Sequence, residues 1–151
     1  MIQYTKETYQ TVRKEIEDLI VKHYEEIALN KEHVPLVPDW QGYKNLEDKG
    51  LLAIIGARDN GKLIGYSIFF IKNHIHYNKT LFANNDVLFL LPEYRKGRTG
   101  INLIRKSEDY LKALGVTKVL WHIKVNNDFR LILHRMGYVD EDIMVGKILK
   151  D

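Results

Sequence analysis

Asp86-Val87-Leu88-Phe89-Leu90-Leu91-Pro92-Glu93-Tyr94-Arg95-Lys96-Gly97-Arg98-Thr99-Gly100 reads as a strand, a basic turn and the start of a helix. The run Asp86–Leu91 lacks polar alternation, as strands buried on both faces do, and Pro92 ends it. Beyond the turn, Ile101, Ile104, Leu111 and Leu114 fall on one side of a helix from about Thr99 to Leu114, which Gly115 stops. The first turn of such a helix carries unpaired N–H groups and the positive end of its dipole, which together attract anions. Gly97 and Gly100 let the backbone approach a ligand closely. Arg95, Lys96 and Arg98 add charge that can meet phosphate oxygens, the arginines by paired hydrogen bonds. The same residues also fit a solvated basic turn that only joins strand to helix. They do not fit a P-loop, because no Gly-Lys-Ser/Thr stands at the required spacing.

Outward from this stretch, the periodicities alternate between helix and strand. Tyr9, Val12, Ile16, Leu19, Ile20, His23 and Ile27 recur at three- and four-residue steps and predict a long helix from about Thr5 to Leu29. Pro35 and Pro38 break the chain into a loop, and Tyr43–Lys49 reads as a short helix closed by Gly50. Leu51–Ala57 and Lys62–Ile71 are strands joined by Asp59-Asn60-Gly61, a hairpin turn because its residues tolerate positive φ. A polar connection leads from there to Asp86. Downstream, Val119–Lys124 is a strand with Val119, Trp121 and Ile123 on one face. Asn127 or Asp128 caps a third helix that buries Phe129, Ile132, Leu133 and Met136 and ends at Gly137. Ile143–Leu149 is a last strand. The pattern predicts one α/β domain over residues 1–151, a mixed central sheet flanked by helices, without repeats or linkers.

Composition narrows the function. Apolar residues make up 45% of the chain and charged residues 28%, an ordinary globular mixture rather than a disordered one. A net charge of +3 is too small to argue for nucleic acid, and Glu108 and Asp109 interrupt the basic face that Arg95–Arg105 would need for it. There is no cysteine, which excludes disulfides, thiolate zinc sites and a cysteine nucleophile. His74, His76 and Asp86 are too sparse a set for a metal site, so no metal is expected. The N-terminus turns charged at once, unlike a signal peptide, and the apolar runs are too short to span a bilayer. A soluble cytoplasmic protein without a membrane partner is expected.

The Asp86–Gly100 stretch resembles motif A of the GNAT (Gcn5-related N-acetyltransferase) family, in which a strand leads through Pro-x-Tyr-Arg into a turn that holds the pyrophosphate of coenzyme A. Pro92, Tyr94, Arg95 and Gly100 match; Arg98 stands where glycine is usual, with Gly97 one place early. Asn126 followed by Gly137-Tyr138 resembles motif B, and the order of elements agrees from Thr5 to Leu149. His23-Tyr24-x-Glu26-Ile27, Gly65-Tyr66, His74-x-His76-Tyr77 and Asp86-Val87 are similar to a divergent subgroup associated with tailed bacteriophages, which would place the chain in a host cytoplasm.

The resemblance implies a GNAT acyl-CoA N-acyltransferase fold and direct acetyl transfer from acetyl-CoA to a small-molecule or protein amine, in a ternary complex. Two parallel strands, Asp86–Leu91 and Val119–Lys124, would splay apart, and backbone groups of Phe89, Leu90 and Leu91 would bind the pantetheine arm. Arg95, Lys96, Gly97, Arg98, Thr99, Gly100 and Asn126 complete the implied cofactor site. An attacking amine has to lose a proton, so a base within reach is useful; Asp86 and His76 are the candidates, with His74 close behind. His23, Glu26, Tyr43, His74 and Tyr77 are candidates for the acceptor cleft, with Trp40 beside them. The family's acid, a tyrosine four residues before the motif B glycine, is replaced by Leu133, and His134 points away from its direction. Leu133 and Arg98 motivate an alternative, a catalytically inactive GNAT-shaped protein that acts through a protein partner. Family members commonly dimerise, which adds a homodimer to the expectations.

Overall fold

The computed structural model describes residues 1–150. The chain runs through strand β1 (Ile2–Glu7), helix α1 (Tyr9–Ile27), helix α2 (Trp40–Asp48), and strands β2 (Leu52–Asp59), β3 (Lys62–His74) and β4 (Tyr77–Leu90). A 3-10 turn (Pro92–Tyr94) leads to α3 (Thr99–Ala113), β5 (Lys118–Leu120) and α4 (Arg130–Arg135). The five strands form one sheet in the order β1-β2-β3-β4-β5. Its first four strands are antiparallel neighbours and β5 runs parallel to β4, so the predicted mixed sheet flanked by helices is present.

Helices cover both faces. Six residues of α1 (Tyr9, Val12, Ile16, Leu19, Ile20 and His23) are buried and share an apolar layer with Trp40 and Tyr43 of α2 and with Ile54 and Ile68 of the sheet. Strand alternation turns the next residue, Ser67, to the opposite face. There its hydroxyl meets that of Ser107 on α3 at 2.7 Å, fully buried. Asn60 and Gly61, with φ of 48° and 82°, make the β2–β3 turn in the left-handed region their types tolerate. Thr8 caps α1 by accepting from the Thr11 N–H, and the Glu47 carboxylate of α2 accepts from the Tyr9 N–H at 2.6 Å. Arg58 ties β2 to β1 and α1 through Glu7 (2.6 Å) and Glu15 (2.9 Å). No helix among the described residues is long and apolar enough to cross a membrane.

Four expectations are corrected. The helix predicted from Thr5 begins at Tyr9, because Ile2–Glu7 pair with β2 and form a strand instead. The connection before Asp86 is strand: β4 starts at Tyr77, and its polar first half pairs with the distal part of β3 in a long hairpin. The strand expected over Val119–Lys124 is confined to Lys118–Leu120. Ile143–Leu149 forms no strand; Ile143, Met144, Val145 and Leu149 are exposed. A strand exists only where a neighbour supplies hydrogen bonds, and no described strand pairs with this segment. The smaller shifts are a turn or less: α2 starts at Trp40, capped by Asp39, and α4 at Arg130, whose N–H donates to the Asp128 carboxylate.

Candidate active site

The parallel pairing of β4 with β5 covers Phe82↔Lys118, Ala83↔Val119 and Asn84↔Leu120, and stops. β4 continues to Leu90 alone on that side, so a gap opens between it and Trp121–Lys124. On the other side β4 stays paired with β3, and the Leu91 N–H donates to the Ile64 carbonyl at 2.8 Å. Antiparallel pairing alternates, so Leu88 and Leu90 turn their backbone groups into the gap. Phe89 pairs toward Tyr66, and the Leu91 carbonyl accepts from the Tyr94 N–H. Of the three residues expected to bind a ligand by their backbone, Leu90 therefore faces the opening, and Leu88 joins it.

Where the gap begins, the β3–β4 register slips: Ile68 faces Val87 and Phe69 faces Asn85, leaving Asp86 as the extra residue of a β-bulge. The Asn85 side chain donates to the Val87 carbonyl (2.9 Å) and the Ile68 carbonyl (3.3 Å), satisfying acceptors at the irregularity. The bulge sends Asp86 to the α1–α2 face, where Tyr43 of α2 donates to its carboxylate at 2.6 Å. Solvent reaches Asp86, but surrounding protein raises its pKa by desolvation, opposed by the Tyr43 hydrogen bond and the charge of His122. Tyr66 lies fully buried nearby with no partner for its hydroxyl. Burial and the neighbouring Asp86 carboxylate raise the pKa of both Tyr43 and Tyr66, so both keep their protons.

At the far end of β4 the chain enters the basic turn. Gly97 takes the left-handed conformation, φ 71°, and Arg98 follows as the N-cap of α3 with no side-chain acceptor for the helix. The glycine one place early thus supplies the positive φ. The first backbone bond of α3 is Asn102 N–H to the Arg98 carbonyl, so the N–H groups of Thr99, Gly100 and Ile101 have no helical partner. A Cβ on Gly100 would meet little, the nearest atom lying 4.0 Å away. Lys96 and Arg98 are exposed. These uncapped donors and free cations suit a polyanion.

Arg95 is used differently. Its Nε donates to the Leu90 carbonyl (2.8 Å), and its two terminal nitrogens hold Glu26 at the end of α1 (2.5 and 2.6 Å). Asn126, across the gap, donates to the Ile27 carbonyl at 3.1 Å. Both residues expected at the cofactor fasten the C-terminal end of α1, one from each side of the opening. His23, one turn earlier, packs on Phe89, and its pKa falls to about 4, chiefly by burial, so it is neutral near pH 7.

The histidines of the hairpin are not brought to this site. His74 ends β3 five residues beyond Phe69, roughly 17 Å along the strand, and His76 and Tyr77 lie at the exposed tip. His76 is therefore too far away to act on a group held at Asp86. Tyr94, a motif residue, donates to Asp59 and so braces the turn on the β2–β3 hairpin. Leu133 is buried at 4% exposure, His134 pairs with Asp140 on the surface, and the Tyr138 hydroxyl is engaged by Glu108. His122, whose charge reaches Asp86, was not singled out in the sequence; its position on the face opposite Trp121 was the available signal.

The acetyltransferase (GNAT) family model matches residues 13–138. The chain belongs to the GNAT family. Members use acetyl-CoA, and the likeness extends to solved structures. The chain is similar to a glucosamine-6-phosphate N-acetyltransferase from Arabidopsis thaliana (15% identity, TM-score 0.74, covering 99% of each chain). It is also similar to an aminoglycoside acetyltransferase from an uncultured soil metagenomic sample (14% identity, TM-score 0.75, covering 99% of this chain and 97% of that one). A predicted acetyltransferase with acetyl-CoA from Clostridium acetobutylicum aligns at 12% identity and TM-score 0.73, again covering 99% and 97%. At these identities the structural likeness speaks for the GNAT fold. No curated protein matches the chain in sequence.

Proposed function

We propose that this GNAT-family chain transfers an acetyl group from acetyl-CoA to a small-molecule amine by direct attack. One observation carries the reading: the β4–β5 ladder ends at Asn84 and Leu120, leaving an open strand edge that runs from Asp86 to the uncapped start of α3. Acetyl-CoA would supply the activated acyl carbon. The open backbone groups of Leu88 and the N–H of Leu90, whose carbonyl already accepts from Arg95, would hold its pantetheine arm. Thr99, Gly100 and Ile101 N–H groups, with Lys96 and Arg98, would hold its pyrophosphate. Arg95 and Asn126 act indirectly, by keeping the end of α1 over the opening.

Asp86 is the proposed base. Its carboxylate stands at the mouth of the gap, and desolvation has made it a better proton acceptor than a free carboxylate. Trp40 and Tyr43 from α2 wall the acceptor side. The small-molecule choice is supported by relatives of this fold that act on an amino sugar and on aminoglycosides, by their names.

Calorimetric titration with acetyl-CoA and with CoA tests the cofactor site, and thiol release from acetyl-CoA in the presence of glucosamine 6-phosphate or sisomicin tests transfer. Micromolar binding with amine-dependent thiol release is expected. No binding of either nucleotide would sink the proposal.

A further inference from the structure

We propose that His122 is the acid of this site, returning a proton to the departing thiol that the Leu133 position cannot supply. The inference rests on the acyl-transfer reading above. Parallel pairing ends at Asn84↔Leu120. Two residues further along each strand stand Asp86 and His122, one on each lip of the gap where it opens. Faces agree as well as register. Trp121 packs edge-on against Phe69, which shares the α3 face with Ser67, so alternation sends His122 to the α1–α2 face. That is the face on which Tyr43 meets the Asp86 carboxylate.

The other proton-bearing groups near this point serve less well. Tyr43 donates to Asp86, and Tyr66 is sealed from solvent. Burial raises both phenols above their ordinary value of about 10 and so further above a thiol at about 8.5, making them weak acids toward a thiolate. The Tyr138 hydroxyl is occupied by Glu108, and Leu133 has no proton to give. His122 is exposed, and its ring makes no hydrogen bond to any described residue. An imidazole is the side chain suited both to take and to return a proton near neutral pH.

The proton balance calls for two acceptors. An ammonium group loses two protons in becoming an amide N–H. Asp86 takes the first, which frees the nitrogen lone pair to form the C–N bond. His122 takes the second from nitrogen once that bond has formed. It then gives this proton to sulfur as the C–S bond breaks and its electron pair stays on sulfur. The proton on Asp86 leaves to water, so each turnover releases one proton and one thiol.

The test has two arms. In the first, NMR compares the imidazole C–H resonances of the wild type and of Asp86→Asn at one pH. The His122 resonances are expected to move when the carboxylate is replaced, while those of His134, paired with Asp140 on the surface, stay in place. Unmoved His122 resonances would overturn the juxtaposition. In the second arm, thiol release from acetyl-CoA is followed with glucosamine 6-phosphate or sisomicin as the probe amine. His122→Asn is expected to lower kcat about 100-fold with KM for acetyl-CoA nearly unchanged. One pH-dependent limb of the kcat profile is expected to vanish in this variant and to survive in Asp86→Asn. An unchanged kcat or an unchanged limb overturns the acid role. No thiol release by the wild type would overturn the acyl-transfer reading itself, and the NMR arm would still report whether Asp86 and His122 are paired.

Discussion

Asp86 and His23 show how the same solvent exclusion serves opposite ends. At Asp86 it favours the protonated form, and a bulge delivers the carboxyl to a wall of Tyr43 and Tyr66. Asp86→Asn keeps the Tyr43 hydrogen bond, since an amide oxygen accepts as a carboxylate does. It is therefore expected to fold normally and to lose about 100-fold or more in turnover, measured with acetyl-CoA affinity as the control. At His23 burial favours the neutral form. Its pKa of about 4 lies below the ordinary value of 6.5, so between those values the unfolded chain binds more protons than the folded one. Stability is complete above about pH 6.5 and is lost as pH falls toward 4, by up to roughly 3 kcal/mol. Urea titrations of the wild type and His23→Leu at pH 7 and pH 5 check this: the variant is expected to lose much less stability between them.

Elements are joined by a few polar contacts whose removal should be unequal. Ser107 donates to the Leu103 carbonyl at 2.8 Å, so its oxygen accepts from Ser67. Ser67→Ala removes one neutral hydrogen bond and is expected to cost about 1 kcal/mol, whereas Ser107→Ala strands the buried Ser67 hydroxyl and is expected to cost up to about 3 kcal/mol. Chemical denaturation of the two variants decides the order. The two arginines of the basic turn should separate in the same way. Arg95→Ala frees the end of α1 from Glu26, a half-exposed pair worth about 1 kcal/mol or less, and lowers Tm. Arg98→Ala leaves Tm in place and weakens CoA binding by about 1.5–3 kcal/mol, the value of a charge-assisted contact. Equal CoA affinity in Arg98→Ala would remove that residue from the anion site.

For the molecule as a whole, pairing along the sheet is uneven. β2 and β3 are flanked on both sides and buried on both faces along most of their length, while Trp121–Lys124 and residues 139–150 belong to no described element. Hydrogen exchange of the dilute protein should show slow amides in β2 and β3 and fast ones over 139–150. Protection of 139–150 that grows with concentration would instead reveal pairing with another copy of the chain.

The sequence by itself determined the buried face of α1, the Asn60-Gly61 turn, the basic turn before α3 and the family to which these point. Each depends on residues a few positions apart, where periodicity, capping and backbone tolerance act locally. Tertiary structure alone decided that Ile2–Glu7 is a strand, because its partners in β2 lie some fifty residues away. It alone decided that Arg95 holds Glu26 across 69 residues of chain rather than standing free beside Arg98. The bulge at Asp86, and the register that sets His122 on the opposite lip, were equally beyond local reading. A hydrogen bond between distant segments depends on where both are placed, and that placement comes from the packing of α1, α2 and α3 onto the sheet.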